Sequence, residues 1–149
     1  MNRKILLSFI LFAFSLPMQS ALADDDDNPA AEYREKVMET IGSSFGGFIQ
    51  VYLGKVKQSD AHLVANTKAL AAASSLVGDL VPAGSEGGDA KANIWEEMDT
   101  YQKYAKESAN ATAQLAAAAE TGDRAAMGKA FKAVGNSCKA CHDKFREED

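Results

Sequence analysis

Close to the C-terminus of this 149-residue chain stand Cys138-Lys139-Ala140-Cys141-His142, which hold its only two cysteines and one of its two histidines. Two thiols three residues apart, followed at once by an imidazole, form the attachment signature of c-type haem. The thiols add to the two vinyl groups along one side of the porphyrin, and the adjacent imidazole reaches the iron as proximal ligand. On a helix, residues three apart share a face, so Cys138 and Cys141 can meet the ring together. The rival chemistries fare worse. A disulfide across the pair closes a tiny loop, and small loops gain little from cross-linking. A redox-active thioredoxin-like dithiol belongs in a βαβ setting, and no segment has a strand pattern. A zinc site needs about four ligands, and only Cys138, Cys141, His142 and the remote His62 are on offer. The reading is one haem c per chain, covalent through Cys138 and Cys141.

The late position of the motif carries information of its own. Only Asp143 to Asp149 follow the imidazole, so whatever covers the opposite face of the iron comes from upstream. Met127 lies on the same helix 15 residues before His142, about 22 Å away at 1.5 Å per residue, and is excluded. Met38 and Met98 remain, and spacing does not choose between them. His62, in "SDAHLVAN", reads as an exposed or capping histidine.

The elements that must position these groups are helices. Asn28-Pro29 is a start signal, a capping side chain followed by proline at the first helical position. Tyr33, Val37, Ile41, Phe45, Phe48 and Tyr52 then recur at three- and four-residue steps, one apolar helix face, with Gly54 ending it. A second helix opens at Ser59 or Asp60 and runs to about Leu80. The loop "VPAGSEGGDAKAN" is too rich in glycine to continue it. A third helix is expected over about 92–120, with Ile94, Trp95, Met98, Tyr101, Ala105 and Leu115 inward. Thr121-Gly122-Asp123 supplies a stop and a new cap. The fourth helix carries Met127, Phe131, Val134, Cys138, Cys141 and Phe145 on one side. Four helices with mostly short links predict an all-α fold, an antiparallel four-helix bundle with covalently attached haem c.

The N-terminus stands apart from that fold. Asn2-Arg3-Lys4 precedes the apolar run Ile5 to Leu16, and Ala21-Leu22-Ala23 offers a cleavage site before Asp24 to Asp27. This predicts a cleavable signal peptide over 1–23 and a single domain over 24–149, exported to the periplasm. No later apolar run reaches the roughly 20 residues of a membrane span. The formal charge of −5 disfavours nucleic acid as a partner. On the last helix, Lys129, Lys132, Lys139, Lys144 and Arg146 make either a basic rim for a redox partner or an ordinary solvated face.

Three stretches together are more specific than the pentapeptide. "YREKVM" opens the first helix, "GSEGGDA" followed by "IW" opens the third, and "VGNSCKACHDKFR" closes the fourth. Over essentially the whole mature chain the sequence resembles the cytochrome c′ family, the class II c-type cytochromes. The resemblance implies an antiparallel bundle, commonly a homodimer through its first two helices. It implies His142 as the proximal ligand, Arg34 and Glu35 near the haem propionates, Asp89 in a loop beside the haem, and Arg146 flanking the proximal pocket. The family often has glutamine where this chain has Glu35. Met38 falls on the distal position, as a lid over five-coordinate iron or as a sixth ligand. With Met38 as a lid, the resemblance implies a protein that binds NO, with CO as a laboratory ligand, and that scavenges NO or transfers electrons. With Met38 ligating, it implies a low-spin electron carrier. Neither reading requires an enzyme's substrate turnover.

Overall fold

A computed structural model describes residues 28–147; the expected signal peptide and the acidic run after it lie outside the described residues. Helix α1 spans Pro29–Tyr52. The Asn28 side chain accepts a hydrogen bond from the Ala30 N–H at 3.0 Å, and Pro29 occupies the first turn. Gly54 follows the helix at φ 68°, a left-handed conformation that suits glycine. The inward stripe differs from expectation at one position. Tyr33 is 57 % exposed, and Arg34 takes the buried place beside Ala31 and Val37. A charged residue holds an inner position here because its guanidinium finds main-chain carbonyls there.

Helix α2 spans Asp60–Ser74 and stops short of the expected Leu80. One 3-10 turn, Val77–Asp79, replaces its last stretch. The change leaves the Val77 carbonyl to accept from the Tyr101 hydroxyl at 2.5 Å, and the Gly78 carbonyl from Gln102 Nε2 at 2.7 Å. The Val77 carbonyl also accepts from the Leu80 N–H, and the Gln102 bond satisfies a Gly78 carbonyl that a helix end would leave orphaned.

The expected third helix is two pieces, α3 over Asn93–Glu96 and α4 over Met98–Thr121. Glu97 leaves helical geometry at φ −115°, ψ 41°, and its carboxylate pairs with Lys144 at 2.7 Å. Gly122, at φ 71°, ends α4, and Asp123 caps α5 (Arg124–Phe145) by accepting from the Ala125 and Ala126 N–H groups. The result is an antiparallel four-helix bundle whose long helices are α1, α2, α4 and α5.

Two apolar clusters fill the bundle. One gathers Phe48, Leu63, Leu70, Leu115, Met127 and Val134. The other gathers Val37, Val77, Leu80, Ile94, Tyr101 and Phe145. In the first, Phe131 of α5 meets Phe45, Phe48 and Tyr52 of α1, with ring centroids 5.5, 6.1 and 6.2 Å away. Beside the second, the bundle opens into a cavity. Among the described residues no helix is long and apolar enough to cross a membrane.

Candidate haem site

The cavity, about 530 Å³, lies between α1, α4 and the C-terminal half of α5. Its walls are mainly apolar. The helices α1 and α5 with the loop before α3 bring together the eight residues expected at the site: Arg34, Glu35, Met38, Asp89, Cys138, Cys141, His142 and Arg146 all line it.

Cys138 and Cys141 lie half-buried on one face of α5. Burial pushes the Cys141 thiol up to about 11, with Cys138 adding to the shift. Burial raises Cys138 as well, opposed by hydrogen bonds from the Ser137 and Ser108 hydroxyls. His142 follows at the cavity rim. Partial burial and then the Arg146 charge lower its pKa, with Asp143 opposing, so the neutral imidazole is favoured. A neutral imidazole is the form that ligates a metal.

From α1, Arg34, Glu35, Met38, Glu39, Ile41, Gly42 and Phe45 line the cavity, and Met38, Ile41 and Phe45 are the apolar part of that wall. This settles which methionine faces the cavity. Met98 is half-buried outside it, with its Sδ 3.9 Å from Gln102 Nε2, and Met127 is buried in the other cluster. His62 is exposed on α2, its Nδ1 3.3 Å from Ser59 Oγ.

The mouth is framed by the loop before α3. Arg34, only 6 % exposed, reaches into this loop. Its Nη1 donates to the Ser85 carbonyl at 2.8 Å and the Leu80 carbonyl at 3.4 Å, and its Nη2 to the Gly87 carbonyl at 2.6 Å. Trp95 stacks beside the guanidinium, 5.8 Å from its ring centroid. Arg34 therefore holds the loop. Asn28 Nδ2 adds bonds to the carbonyls of Gly84 and Glu86. Glu35 is exposed at the mouth, its Oε1 occupying the space that a Cβ on Gly88 would need; Gly88 also sits at φ 57°.

On the other side the loop is fastened to the end of α5. Asp89 Oδ2 accepts from Arg146 Nε and Nη2 at 3.1 and 2.9 Å. The Glu147 N–H donates to the Asp89 carbonyl and the Lys91 N–H to the Phe145 carbonyl, a short antiparallel pairing centred on Ala90 and Arg146. Arg146 thus flanks the cavity as an ion-paired residue. Lys139 and Lys144 pair likewise, with Asp143 and Glu97 at 2.7 Å each. Three of the five cations of the supposed basic rim are matched by acids, as a solvated face would be.

Sequence reasoning took Tyr101 and Ala105 as core and passed over Tyr104 and Ser108, yet all four line the cavity from α4. Ser108 stands three residues beyond Ala105, so the helical step was there to be followed.

An apolar cavity of this size suits a small-molecule cofactor, and two thiols with a neighbouring imidazole are the donors that covalent haem requires. The fold and site define a helical bundle built to hold a covalently attached haem. The family model described as Cytochrome C′ matches residues 29–146, and this chain belongs to that family, with haem c attached at Cys138 and Cys141. It is 34 % identical over 119 residues to cytochrome c′ of Alcaligenes xylosoxydans xylosoxydans, covering 80 % of this chain and 94 % of that protein. It is 36 % identical over 118 residues to cytochrome c-556 of Agrobacterium tumefaciens (strain II Chrys), covering 77 % and 94 %. Among solved structures, the nitric oxide complex of a mutant cytochrome c prime from Alcaligenes xylosoxidans superposes with a TM-score of 0.76 at 33 % identity, covering 85 % of this chain and 98 % of that one. A carbon-monoxide-bound variant of the same protein gives a TM-score of 0.75 with the same coverage.

Proposed function

We propose that this chain is a periplasmic gas-binding haem protein in which His142 is the proximal ligand and Met38 a lid over an open distal position. The observation that carries the reading is the α1 wall. Met38, Ile41 and Phe45 face the cavity with apolar side chains, and Arg34, the donor on the same helix, spends its guanidinium on the Leu80, Ser85 and Gly87 carbonyls. A distal wall without donors gives bound O₂ no stabilising partner, whereas NO and CO need none. Haem iron supplies the coordination site for the gas. Cys138 and Cys141 fix the group to α5, His142 presents its neutral imidazole, and Met38 yields when a ligand arrives. The NO and CO complexes of the Alcaligenes protein support this assignment. NO scavenging, export through a signal over residues 1–23 and a homodimer through α1 and α2 complete the reading. It is a ligand-binding protein rather than an enzyme.

A second reading has an observation of its own. Met38 is the methionine that faces the cavity, so a thioether is in place to ligate, which would make the protein a low-spin carrier passing electrons to a redox partner. Visible spectra of the purified protein, oxidised, dithionite-reduced and reduced under CO, separate the two. A broad unsplit reduced band with prompt CO binding is expected. Sharp low-spin bands indifferent to CO would sink the gas-binding reading and make Met38 a ligand.

A further inference from the structure

We propose that Glu97 and Lys144 form a clasp that fixes the pose of the proximal ligand, both acting as positioning residues for His142. The inference rests on His142 as proximal ligand, a role that the gas-binding and electron-carrier readings share. Glu97 occupies the N-cap of α4, where serine, threonine, aspartate and asparagine are the preferred residues. Its side chain makes no capping hydrogen bond there. It turns instead to the Lys144 ammonium on the last turn of α5, at 2.7 Å.

Lys144 stands two residues after His142, in the same helical turn. The ion pair is not alone on that turn. Asn93 Nδ2 donates to the Lys144 carbonyl at 3.3 Å, and the Lys91 N–H to the Phe145 carbonyl at 2.9 Å. The carbonyl of His142 itself accepts from the Arg146 N–H at 2.9 Å. The last carbonyls of a helix have no partner within it, and here Lys91 and Asn93 supply two of those partners from outside α5. Lys91, Asn93, Glu97 and Lys144 do not line the cavity, so these bonds do not compete with the haem for space. A half-exposed ion pair contributes little to stability. What this one fixes is direction, because partners beyond the ligating atom orient a metal-binding histidine.

The test compares the ferric holoprotein of wild type, Glu97→Ala, Lys144→Ala and the charge-exchanged variant Glu97→Lys with Lys144→Glu. Lys68→Ala, which breaks the 2.7 Å pair between Lys68 and Glu120, is the control. The chain has two histidines, so histidine-selective labelling isolates the imidazole whose NMR signals the iron shifts. Reduction potentials are read on the same samples. Both single variants should move the axial histidine signals the same way and the potential with the same sign. The charge-exchanged variant should return both toward wild type, and Lys68→Ala should match it. Potentials that shift in opposite directions in the two single variants would mark a field effect alone, since one loses an anion and the other a cation, and would overturn the clasp. Axial histidine signals that stay in place in both would overturn it too. Wild type with no iron-shifted imidazole would overturn His142 as ligand and the clasp with it. Reduced wild type that does not bind CO would overturn the gas-binding reading alone, because the clasp is decided by the histidine signals and the potentials.

Discussion

The two ends of the bundle are built on different physics. At the closed end, Phe48, Leu115 and Val134 are fully buried, and α1 meets α5 through tilted aromatic rings. Non-directional burial of apolar surface dominates there, with a reciprocal pair of bonds between Tyr52 and Arg124 at its edge. At the open end the same helices must stay apart around a cavity of about 530 Å³. The apolar walls would find their packing partner in the haem that Cys138 and Cys141 hold. A polar frame borders that cavity: Arg34 on the loop carbonyls, Asp89 with Arg146, and Tyr101 on the Val77 carbonyl. Apolar packing dominates one end, and long-range hydrogen bonds frame the cofactor cavity at the other.

The sharpest way to break this contrast is at the closed end. Leu115→Ala should lower the stability of the holoprotein by about 3 kcal/mol, the usual scale for a buried leucine, read as a shifted urea midpoint. Its visible spectrum should not change. A spectrum that changed with it would show that the ends are not separable. Arg34→Ala should cost about 2 kcal/mol by stranding the Ser85 and Gly87 carbonyls. Unlike the leucine change, it should alter the haem spectrum and speed amide exchange in the loop.

Tyr101→Phe should have the smallest effect, about 1 kcal/mol at neutral pH from one lost hydrogen bond, and it sharpens the contrast through its pH dependence. Burial raises the Tyr101 phenol above its ordinary 10.0, with Cys141 adding and Arg34 opposing. The folded chain keeps a proton that the unfolded chain releases above about pH 10, so this contribution is intact below that pH and is lost as pH rises further. Urea titrations from about pH 9 to 11 should show a steeper alkaline decline for wild type than for Tyr101→Phe. Equal slopes would remove Tyr101 from the polar frame.

The sequence made the closed end and the chemical motif easy to read, for one reason. Both are local patterns, three- and four-residue steps in one case and five consecutive residues in the other. The same holds for the caps at Asn28 and Asp123, whose side chains bond one turn away. The open end was harder. No glycine or proline marks the break at Glu97, which pairs with Lys144 across the fold. The inward turn of Arg34 in place of Tyr33 depends on carbonyls 46 to 53 residues away. Helix α2 ends early because Tyr101 and Gln102 of α4 take up the carbonyls of the 3-10 turn. Each of these three differences is a long-range polar bond overriding a local pattern, unlike Tyr104 and Ser108, whose helical step pointed to the cavity. The site residues drawn from family resemblance do line the cavity, yet only the structure ties Arg34 and Arg146 to the loop.

That loop is gripped almost wholly by its main chain. Arg34 and Asn28 bind the carbonyls of Leu80, Gly84, Ser85, Glu86 and Gly87, while the backbones of Asp89 and Lys91 pair with Glu147 and Phe145. A frame that addresses peptide groups is indifferent to most side chains it passes. The loop can therefore drift in sequence wherever the Asp89 carboxylate and its glycines at positive φ are respected, Gly84, Gly87 and Gly88. Its length has no such freedom: one inserted residue would slide every carbonyl off its donor.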